Sequence, residues 1–359
     1  MPEGIFGSDL LEYGPTGYIF LKAYLCRFQI MEVMEKDNPR FWKLHNVDAT
    51  YWSEYIDTRP TYDHRIFDRV IDYHSTHSTR HSAALDIGTG SGSALEPLTK
   101  WFDHVVATDN DPTSLSFAKQ RHSSIPVERL SYTLSSGEEL LQHHSPGSFD
   151  LITCAETFPL MDTQKALANI ASLLRPGGTL AIWFYGPSFF TETEYVVTCQ
   201  PILDALVDCK FRPVVSGGGD ARRESRKRAA DGKFSWLDYI PLHANQWTDV
   251  RRHKLNTHTR LSFFTPEACN FPVEYTSNIG QDEVLNEDQD PTFWKVTWSF
   301  TKLKSSVNAS FPTPNGLVGE HDRMGRLFEK LTIGMGEQGA KRTFSWPAVL
   351  ITAARKVNS

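Results

Sequence analysis

A glycine-rich turn between a buried strand and a helix constrains the fold of this chain more than any other feature of its sequence. The run DIGTGSG, residues 86–92, completes the apolar stretch 83–87 and precedes a segment with helical character. Glycines at alternate positions allow the backbone to bend tightly and bring its amides close to a ligand. We therefore predict a ligand-binding turn at the carboxyl end of a strand.

Short apolar segments alternate with amphipathic ones from residue 64 to about residue 185. Predicted strands cover 83–87, 104–108, 127–134, 149–155 and 179–184, and predicted helices cover 65–74, 93–102, 113–121 and 163–174. Strands that alternate with helices through short loops are typical of a mostly parallel sheet covered on both faces. The sequence thus predicts a doubly wound α/β fold.

Two common phosphate-binding motifs fit the turn poorly. A dinucleotide fingerprint has the spacing G-x-G-x-x-G, whereas the third glycine here, Gly92, comes one residue early. A Walker loop is excluded because no Gly-Lys-Ser or Gly-Lys-Thr sequence follows the turn.

Polar residues also follow the next three predicted strands. Asp109 ends the second strand, 23 residues after Asp86, and a carboxylate at that place suits the two hydroxyls of a ribose. Ser136 and Gly137 follow the third strand, where they are placed to border an adenine, and Glu156 follows the fourth. Because the carboxyl ends of parallel strands meet at one edge of a sheet, these residues predict a single nucleoside site.

Four segments together resemble the class I S-adenosylmethionine-dependent methyltransferases: LDIGTGSG (85–92), VVATDND (105–111), FDLITCAE (149–156) and LLRPGG (173–178). Two more, YIDTRPTY (55–62) and VTWSF (296–300), are similar to the fungal trans-aconitate methyltransferase group. The resemblance covers about residues 50–185 well and residues 290–356 more thinly. It implies a seven-stranded Rossmann-like sheet whose last strand, near 346–353, is antiparallel, and it implies S-adenosylmethionine as the cofactor.

The resemblance also assigns cofactor-binding positions in this chain. It implies that Asp109 holds the ribose, that Asn110 flanks the adenine, and that Ala155 presents its carbonyl near the amino group of the cofactor. Tyr55 and Arg59 are expected to cover the cofactor from the N-terminal side. The full set implied is Asp86, Gly88, Thr89, Gly90, Gly92, Asp109, Asn110, Ser136, Gly137, Ala155, Tyr55 and Arg59.

One departure from the family bears on the acceptor. Relatives often carry a His-Trp pair shortly after the fourth strand, where this chain has FPLM, residues 158–161. This apolar segment indicates a more hydrophobic acceptor than a tricarboxylate, unless the segment only packs beneath the cap. We predict that Phe158, Tyr185 and Trp298 line the acceptor pocket, with ordinary core packing as the alternative.

The chemistry of methyl transfer places modest demands on the protein. Displacement at a sulfonium needs alignment and exclusion of water, and it needs a base only when the acceptor must first lose a proton. Glu156 is the predicted catalytic residue, with a purely structural carboxylate as the alternative. We expect methylation of a carboxylate or hydroxyl oxygen of a small molecule. An isomerisation or cyclisation in the same fold, and a cofactor-sensing regulatory protein, stay open as other functions.

The composition of the chain limits the classes of partner and the cellular location that we expect. The chain has 37 basic and 43 acidic side chains and a net charge of -6, which disfavours a nucleic-acid partner. Its five cysteines form no close CxxC pair, which argues against a structural metal site. Charged residues interrupt the apolar stretch 17–34, so no membrane span is expected there. We expect a cytoplasmic monomer or homodimer, and the basic run 222–228 leaves a nuclear location open.

The sequence predicts that the chain consists of four segments. We predict an N-terminal helical extension (1–48), a cofactor-binding core (49–185), a substrate cap (186–304), and a closing helix with the final antiparallel strand of the core (305–359). Within the cap, the sequence predicts a glycine-rich and then basic loop over 216–235 and a helix over 291–303.

Overall fold

The computed structural model describes residues 49–216, 220–258, 261, 269–310, 318–336 and 339–357. The predicted N-terminal helical extension lies outside these residues. Among the described residues, no helix is both long and apolar enough to cross a membrane.

An eight-stranded sheet forms the centre of the described chain. Its strands are β1 (Ala83–Ile87), β2 (His104–Asp109), β3 (Leu130–Leu134), β4 (Phe149–Ala155), β5 (Leu174–Tyr185), β7 (Trp247–Leu255), β8 (Val284–Asp288) and β11 (Ala348–Arg355). Their order is β3-β2-β1-β4-β5-β11-β7-β8. All neighbours pair in parallel except β11, which is antiparallel to both β5 and β7. The doubly wound, mostly parallel sheet predicted from the sequence is therefore confirmed.

A second sheet has three antiparallel strands in the order β6-β10-β9. These are β6 (Phe189–Phe190), β9 (Val296–Ser299) and β10 (Lys341–Ser345). The sheet follows directly from β5 on one side and leads directly into β11 on the other, so it extends the carboxyl end of β5.

The described helices are α1 (Ala49–Thr58), α2 (His64–His77), α3 (Leu95–Trp101), α4 (Pro112–Arg121), α5 (Thr163–Leu173), α6 (Thr193–Thr198), α7 (Gln200–Ser216), α8 (Asp220–Phe234), α9 (Phe300–Ser310) and α10 (Val318–Met335). Of these, α2, α3, α4 and α5 pack on the main sheet. The inner strands β1, β4 and β11 are buried at nearly every position, because a parallel sheet of this kind is covered on both faces.

Among the described residues, three helices have an aspartate N-cap whose side chain accepts a backbone hydrogen bond. Asp63, Asp111 and Asp162 cap α2, α4 and α5, and each accepts a backbone N–H of the first turn at 2.9–3.0 Å. Such a carboxylate satisfies a free amide and interacts favourably with the positive end of the helix. The caps of α4 and α5 lie close after β2 and β4, so they keep the loops at that edge of the sheet short.

The structure corrects the predicted number of strands. Seven strands were expected, and the main sheet has eight among the described residues. Two of them, β7 and β8, lie within the segment predicted as a cap. β7 pairs with β11 over most of its length, so part of residues 186–304 belongs to the main sheet. The predicted antiparallel strand near 346–353 is confirmed as β11.

Two local predictions in the second half were wrong. The basic segment expected as a loop forms α8. The segment 291–303 contains the strand β9 before α9 begins, so Trp298 lies on a strand and not on a helix. In both cases pairing with distant strands or packing on distant helices decided the local structure, which a local pattern does not report.

A buried arginine on β7 holds the end of α8. Arg252 is 0% exposed and pairs with Glu283, which is also buried. Its guanidinium donates to the backbone carbonyls of Leu237 and Ile240 at 3.0 and 2.8 Å. These carbonyls lie just after α8, so Arg252 fixes where that helix ends.

We expect Arg252→Ala to lower the free energy of unfolding by about 3–5 kcal/mol, because it leaves the buried Glu283 carboxylate without its cation and removes a charged donor from two carbonyls. Chemical denaturation followed by circular dichroism measures this. The neighbouring Arg251 is the matched control. Its side chain is 41% exposed and pairs with Asp249, so Arg251→Ala should cost less than about 1 kcal/mol. Equal losses in the two variants would contradict the structural role of Arg252.

Candidate functional site

The glycine-rich turn lies at the carboxyl end of β1, with β2 on one side and β4 on the other. Gly88, Gly90 and Gly92 have φ values of +67°, +54° and +79°, a region that other residues rarely adopt. A Cβ at Gly88 would lie 2.5 Å from the Thr157 side chain, and one at Gly92 would lie 2.8 Å from His122. A Cβ at Gly90 would meet no atom within 4 Å. Of the three glycines, Gly90 is therefore the one that borders open space.

Asp109, the last residue of β2, connects three loops at this edge. Its Oδ2 accepts the Gly90 amide and its Oδ1 accepts the Asp111 amide, both at 2.9 Å. Its own carbonyl accepts the amide of Ser135, after β3, at 3.0 Å. Burial raises the pKa of Asp109, and the backbone amides oppose that rise. The carboxylate thus holds the glycine-rich turn against the end of β2.

The other predicted adenine-side residues lie on the same edge. Asn110 is exposed, Ser136 is half-buried and Gly137 is buried. The Gly137 carbonyl accepts the side chain of Asn169 at 3.2 Å, and a Cβ at Gly137 would lie 2.4 Å from the sulfur of Met161. A side chain at this position would therefore displace Met161.

Asp86 on β1 is a buried carboxyl group with one free oxygen. It is 1% exposed, and its Oδ1 accepts the Thr153 hydroxyl at 2.6 Å. Its Oδ2 is buried and has no hydrogen-bond partner among the described residues, and the same holds for the hydroxyl of Thr89. Burial raises the pKa of Asp86 to about 6, although Thr153 and the nearby Thr89 both oppose the rise. A donor from outside the protein would satisfy Oδ2.

Glu156 follows Ala155 at the end of β4, in a strained backbone conformation. Its φ is +65°, which is uncommon for a residue with a side chain. Its amide donates to the Trp183 carbonyl at 2.9 Å, and its Oε1 accepts the Tyr185 amide at 2.5 Å. Two bonds to β5 thus hold Glu156 in place.

The environment of Glu156 is both buried and positively charged. Burial raises the pKa of Glu156 to about 7, while Lys233, the Tyr185 amide and Arg59 oppose the rise. Lys233 comes from the last turn of α8 and Arg59 from the loop after α1. Helices from distant parts of the chain therefore place two cations beside one carboxyl group.

Arg59 joins three segments. Its guanidinium donates to the Tyr185 hydroxyl, and to the Ser310 carbonyl at 3.2 Å. The guanidinium also lies over the Tyr55 ring, 4.5 Å from the ring centre. Its Nε is buried without a hydrogen-bond partner among the described residues. Arg59 thus brings Tyr55 and Tyr185 together, and the expectation that Tyr55 and Arg59 cover a cofactor stays a prediction.

Six partly buried side chains interact with one another beside the glycine-rich turn. Each keeps some accessible surface, so a ligand can reach it. We call this group the crevice, and its residues are Tyr55, Arg59, Tyr62, Glu156, Tyr185 and Lys233.

The three residues predicted for the acceptor pocket lie at different depths. Tyr185 is in the crevice. Phe158 is 0% exposed and so presents no surface to it. Trp298 packs on Trp346 in the second sheet, with ring centres 5.1 Å apart. Trp294 lies nearer the crevice, since its ring centre is 4.9 Å from that of Tyr185.

The sequence analysis assigned no role to three residues that the structure places at or next to the site. Lys233 lies in a segment read as a loop, 77 positions after Glu156 in the chain. Tyr62 belongs to the YIDTRPTY segment but was given no role of its own. Trp294 was overlooked in favour of Trp298, because the strand β9 was read as a helix. No local spacing connects these residues with Glu156, so only the tertiary fold reveals their association.

Metal binding has no support among the described residues, where no group of three or more His, Cys, Asp or Glu side chains is placed to hold an ion. The chemistry available at the site is that of hydrogen bonds, two cations and one carboxyl group that titrates near pH 7.

We expect Glu156→Gln to stabilise the folded protein at neutral and higher pH. The pKa of Glu156 rises from 4.5 to about 7 on folding, so the folded state holds this proton more tightly than the unfolded state. The carboxyl group therefore destabilises the fold increasingly as the pH rises from about 4.5 to about 7, and by a constant amount above that range. Glutamine mimics the protonated form and removes this cost, on the order of 1–3 kcal/mol.

Denaturation of both proteins between pH 4 and pH 8 measures the difference in unfolding free energy. Glu194→Gln is the control, because Glu194 is exposed on α6 and its replacement should change stability by no more than about 0.5 kcal/mol. A difference for Glu156→Gln that does not grow with pH would contradict a raised pKa.

The comparisons with known proteins agree with this architecture. A family model described as a methyltransferase domain matches residues 85–182. Methyltransferase pgmE of Aspergillus terreus is 36% identical over 89% of this chain and 97% of that protein. Methyltransferase ptaI of Pestalotiopsis fici is 32% identical over 85% of this chain and 93% of that protein.

Among solved structures, the YcgJ protein of Bacillus subtilis has a TM-score of 0.41 and 13% identity over 81% of this chain and 100% of that chain. The narrower similarity to the trans-aconitate group stays a prediction. Identity above 30% across most of the chain, together with the matched domain, shows the family. This chain is a member of the class I S-adenosylmethionine-dependent methyltransferases.

Proposed function

We propose that this protein transfers the methyl group of S-adenosylmethionine to a weakly acidic hydroxyl oxygen of a small molecule. Glu156 carries the proposal. It lies in the crevice with a pKa raised to about 7 by burial, and its neighbour Thr157 packs against Gly88 of the glycine-rich turn. A carboxyl group of that pKa takes up a proton near neutral pH, as a general base must.

The edge of the sheet suits the cofactor in three respects. The open space at Gly90 lets a ligand approach the backbone. The free Oδ2 of Asp86 is a buried acceptor that the ammonium group of the cofactor would satisfy. Each oxygen of Asp109 accepts one amide and keeps a further lone pair for a ribose hydroxyl.

The proposed cofactor-binding residues are those implied by the family resemblance. On the β1 side they are Asp86, Gly88, Thr89, Gly90 and Gly92, and toward the adenine they are Asp109, Asn110, Ser136 and Gly137. Ala155 supplies a carbonyl, and Tyr55 and Arg59 close the methionine end, where the guanidinium of Arg59 pairs with the carboxylate of the cofactor.

The acceptor half of the site favours a hydroxyl over a carboxylate. A carboxylate acceptor is already ionised at neutral pH and needs no base, whereas the crevice holds a base. The Oε2 of Glu156 accepts no hydrogen bond from a described residue and is free to take the proton. With Arg59 paired to the carboxylate of the cofactor, Lys233 makes the acceptor side of the crevice electropositive, which favours the ionised form of the hydroxyl.

The reaction is a displacement in which the protein supplies position and a base. When bound, S-adenosylmethionine supplies a methyl group on a positively charged sulfur, and the electron pair of the broken C–S bond stays on the sulfur of S-adenosylhomocysteine. Glu156 removes the hydroxyl proton, and the acceptor oxygen forms the new bond to the methyl carbon. The aromatic residues Tyr62 and Tyr185 exclude water and orient the acceptor, and Trp294 packs behind Tyr185.

We expect Gly90→Val to weaken binding of S-adenosylmethionine by at least about 100-fold, because its side chain would occupy the space beside the turn that we assign to the cofactor. Titration calorimetry with S-adenosylmethionine or S-adenosylhomocysteine measures the affinity.

Gly147→Val is a matched control. Gly147 has a φ of +65° and also borders open space, but it precedes β4 at the opposite edge of the sheet. Both variants carry the same kind of backbone strain, roughly 1–3 kcal/mol, and only Gly90→Val should lose the cofactor. Unchanged affinity in a folded Gly90→Val protein would overturn the cofactor site.

We expect Glu156→Gln to lower kcat for a hydroxylated acceptor by about 10²–10⁴-fold, the usual contribution of a general base. In the wild type, the rate should fall below about pH 7, where Glu156 becomes protonated, and this acid limb should vanish in the variant. Arg59, Lys233, Tyr62 and Tyr185 remain around the substituted residue in both proteins.

The assay follows label from methyl-labelled S-adenosylmethionine into hydroxylated and carboxylated aromatic acceptors and into a metabolite extract. Full activity of Glu156→Gln would contradict its role as base. Product formed without loss of S-adenosylmethionine would favour an isomerisation or cyclisation instead, and tight binding of the cofactor without any chemistry would favour the regulatory alternative.

A further inference from the structure

Lys233 is a crevice residue that lies near Glu156 but forms no ion pair within 4 Å among the residues that the structure describes. It lies in the last turn of α8, outside the strands that carry the proposed cofactor site. Its ammonium group is 5.1 Å from the centre of the Phe184 ring, and it makes no ion pair or hydrogen bond with any residue that the structure describes. Burial lowers the pKa of Lys233, and the nearby Glu156 opposes that effect.

Other cations in the same region are paired. Lys227, also on α8, lies 2.8 Å from the Asp231 carboxylate. Lys254 on β7 is buried and lies 2.8 Å from the carboxylate of Asp238. Lys233, by contrast, is half-buried and has no carboxylate within ion-pair distance among the described residues, so its charge is available to a ligand that enters the crevice.

The charges of the crevice do not balance. Arg59 and Lys233 contribute two positive charges, and Glu156 contributes less than one negative charge at neutral pH because its pKa is about 7. In the proposed function, the carboxylate of the cofactor pairs with Arg59. Lys233 then remains as the free cation on the acceptor side, bordered by the ring of Phe184.

We propose that Lys233 determines acceptor specificity by binding an anionic substituent of the acceptor, so that the preferred acceptors are hydroxylated aromatic carboxylates. This inference rests on the proposed function and deepens it. Lys233 acts on binding of the acceptor, and Glu156 acts on the hydroxyl that is methylated. The carboxylate of the acceptor stays ionised throughout and takes no part in bond formation.

The test compares an anionic acceptor with its neutral counterpart. The probes are 3-hydroxy-2-naphthoate and 3-hydroxy-2-naphthamide, which differ in charge and little in shape. Their affinities are measured by calorimetry on the full chain saturated with S-adenosylhomocysteine. We expect the wild type to bind the carboxylate at least about tenfold more tightly than the amide, as a charge-assisted contact would give.

Lys233→Met should bring that preference close to one, and Lys233→Arg, which keeps the charge, should retain most of it. Lys227→Met is the matched control, because it removes a positive charge from the same helix away from Glu156 and should leave the preference unchanged. Circular dichroism and the affinity for S-adenosylhomocysteine verify that each variant is folded. The same preference in Lys233→Met as in the wild type, or no preference in the wild type, would overturn the inference.

Failure of this inference and failure of the proposed function give different results. Methylation of neutral and anionic hydroxyarenes at equal rates, with no effect of Lys233→Met on their ratio, would overturn the role of Lys233 alone. Absence of label transfer to every hydroxylated acceptor tested would count against the proposed function and against this inference with it. Methylation of the naphthoate at its carboxylate would likewise overturn both assignments.

Discussion

The hydrogen bond from the Gly90 amide to the Asp109 carboxylate organises the edge of the sheet on which the site is built. It fixes the turn after β1 against the end of β2, and the backbone of Asp109 also receives the amide of Ser135 after β3. A half-buried carboxylate needs such donors, because burial without them is costly. One acidic residue at the end of a strand thereby sets the relative positions of three loops.

Much of the fold could be predicted from the sequence, because the first half of the chain follows local rules. Apolar strands, aspartate caps such as Asp111 and glycine turns each depend on neighbours in the chain, and their elements were placed within a few residues. The second half depends on distant pairing. β9 was read as a helix because its pattern is short and ambiguous, and β7 acquires its place only from β11.

The two sides of the site also differ in how far they could be predicted from the sequence. The cofactor side consists of residues at the ends of consecutive strands, so spacing and family resemblance suffice to propose it. The acceptor side combines Glu156 after β4 with Arg59 and Lys233 from helices far away in the chain. Its charged groups are individually unfavourable in a buried place. Arg252 differs from them, because its guanidinium pairs with Glu283 and donates to two carbonyls, and so holds the chain just beyond Lys233.

The position of β11 has a consequence for biosynthesis. β5 and β7 both emerge from the ribosome before β11, yet they are not hydrogen-bonded to each other and meet only through that strand. The half of the sheet from β3 to β5 can assemble during translation, whereas β7 and β8 must wait with an unpaired edge until β11 arrives. A nascent chain of this protein therefore exposes a strand edge with unpaired backbone N–H and C=O groups while about 100 further residues are synthesised. Chaperones would protect that edge during this interval.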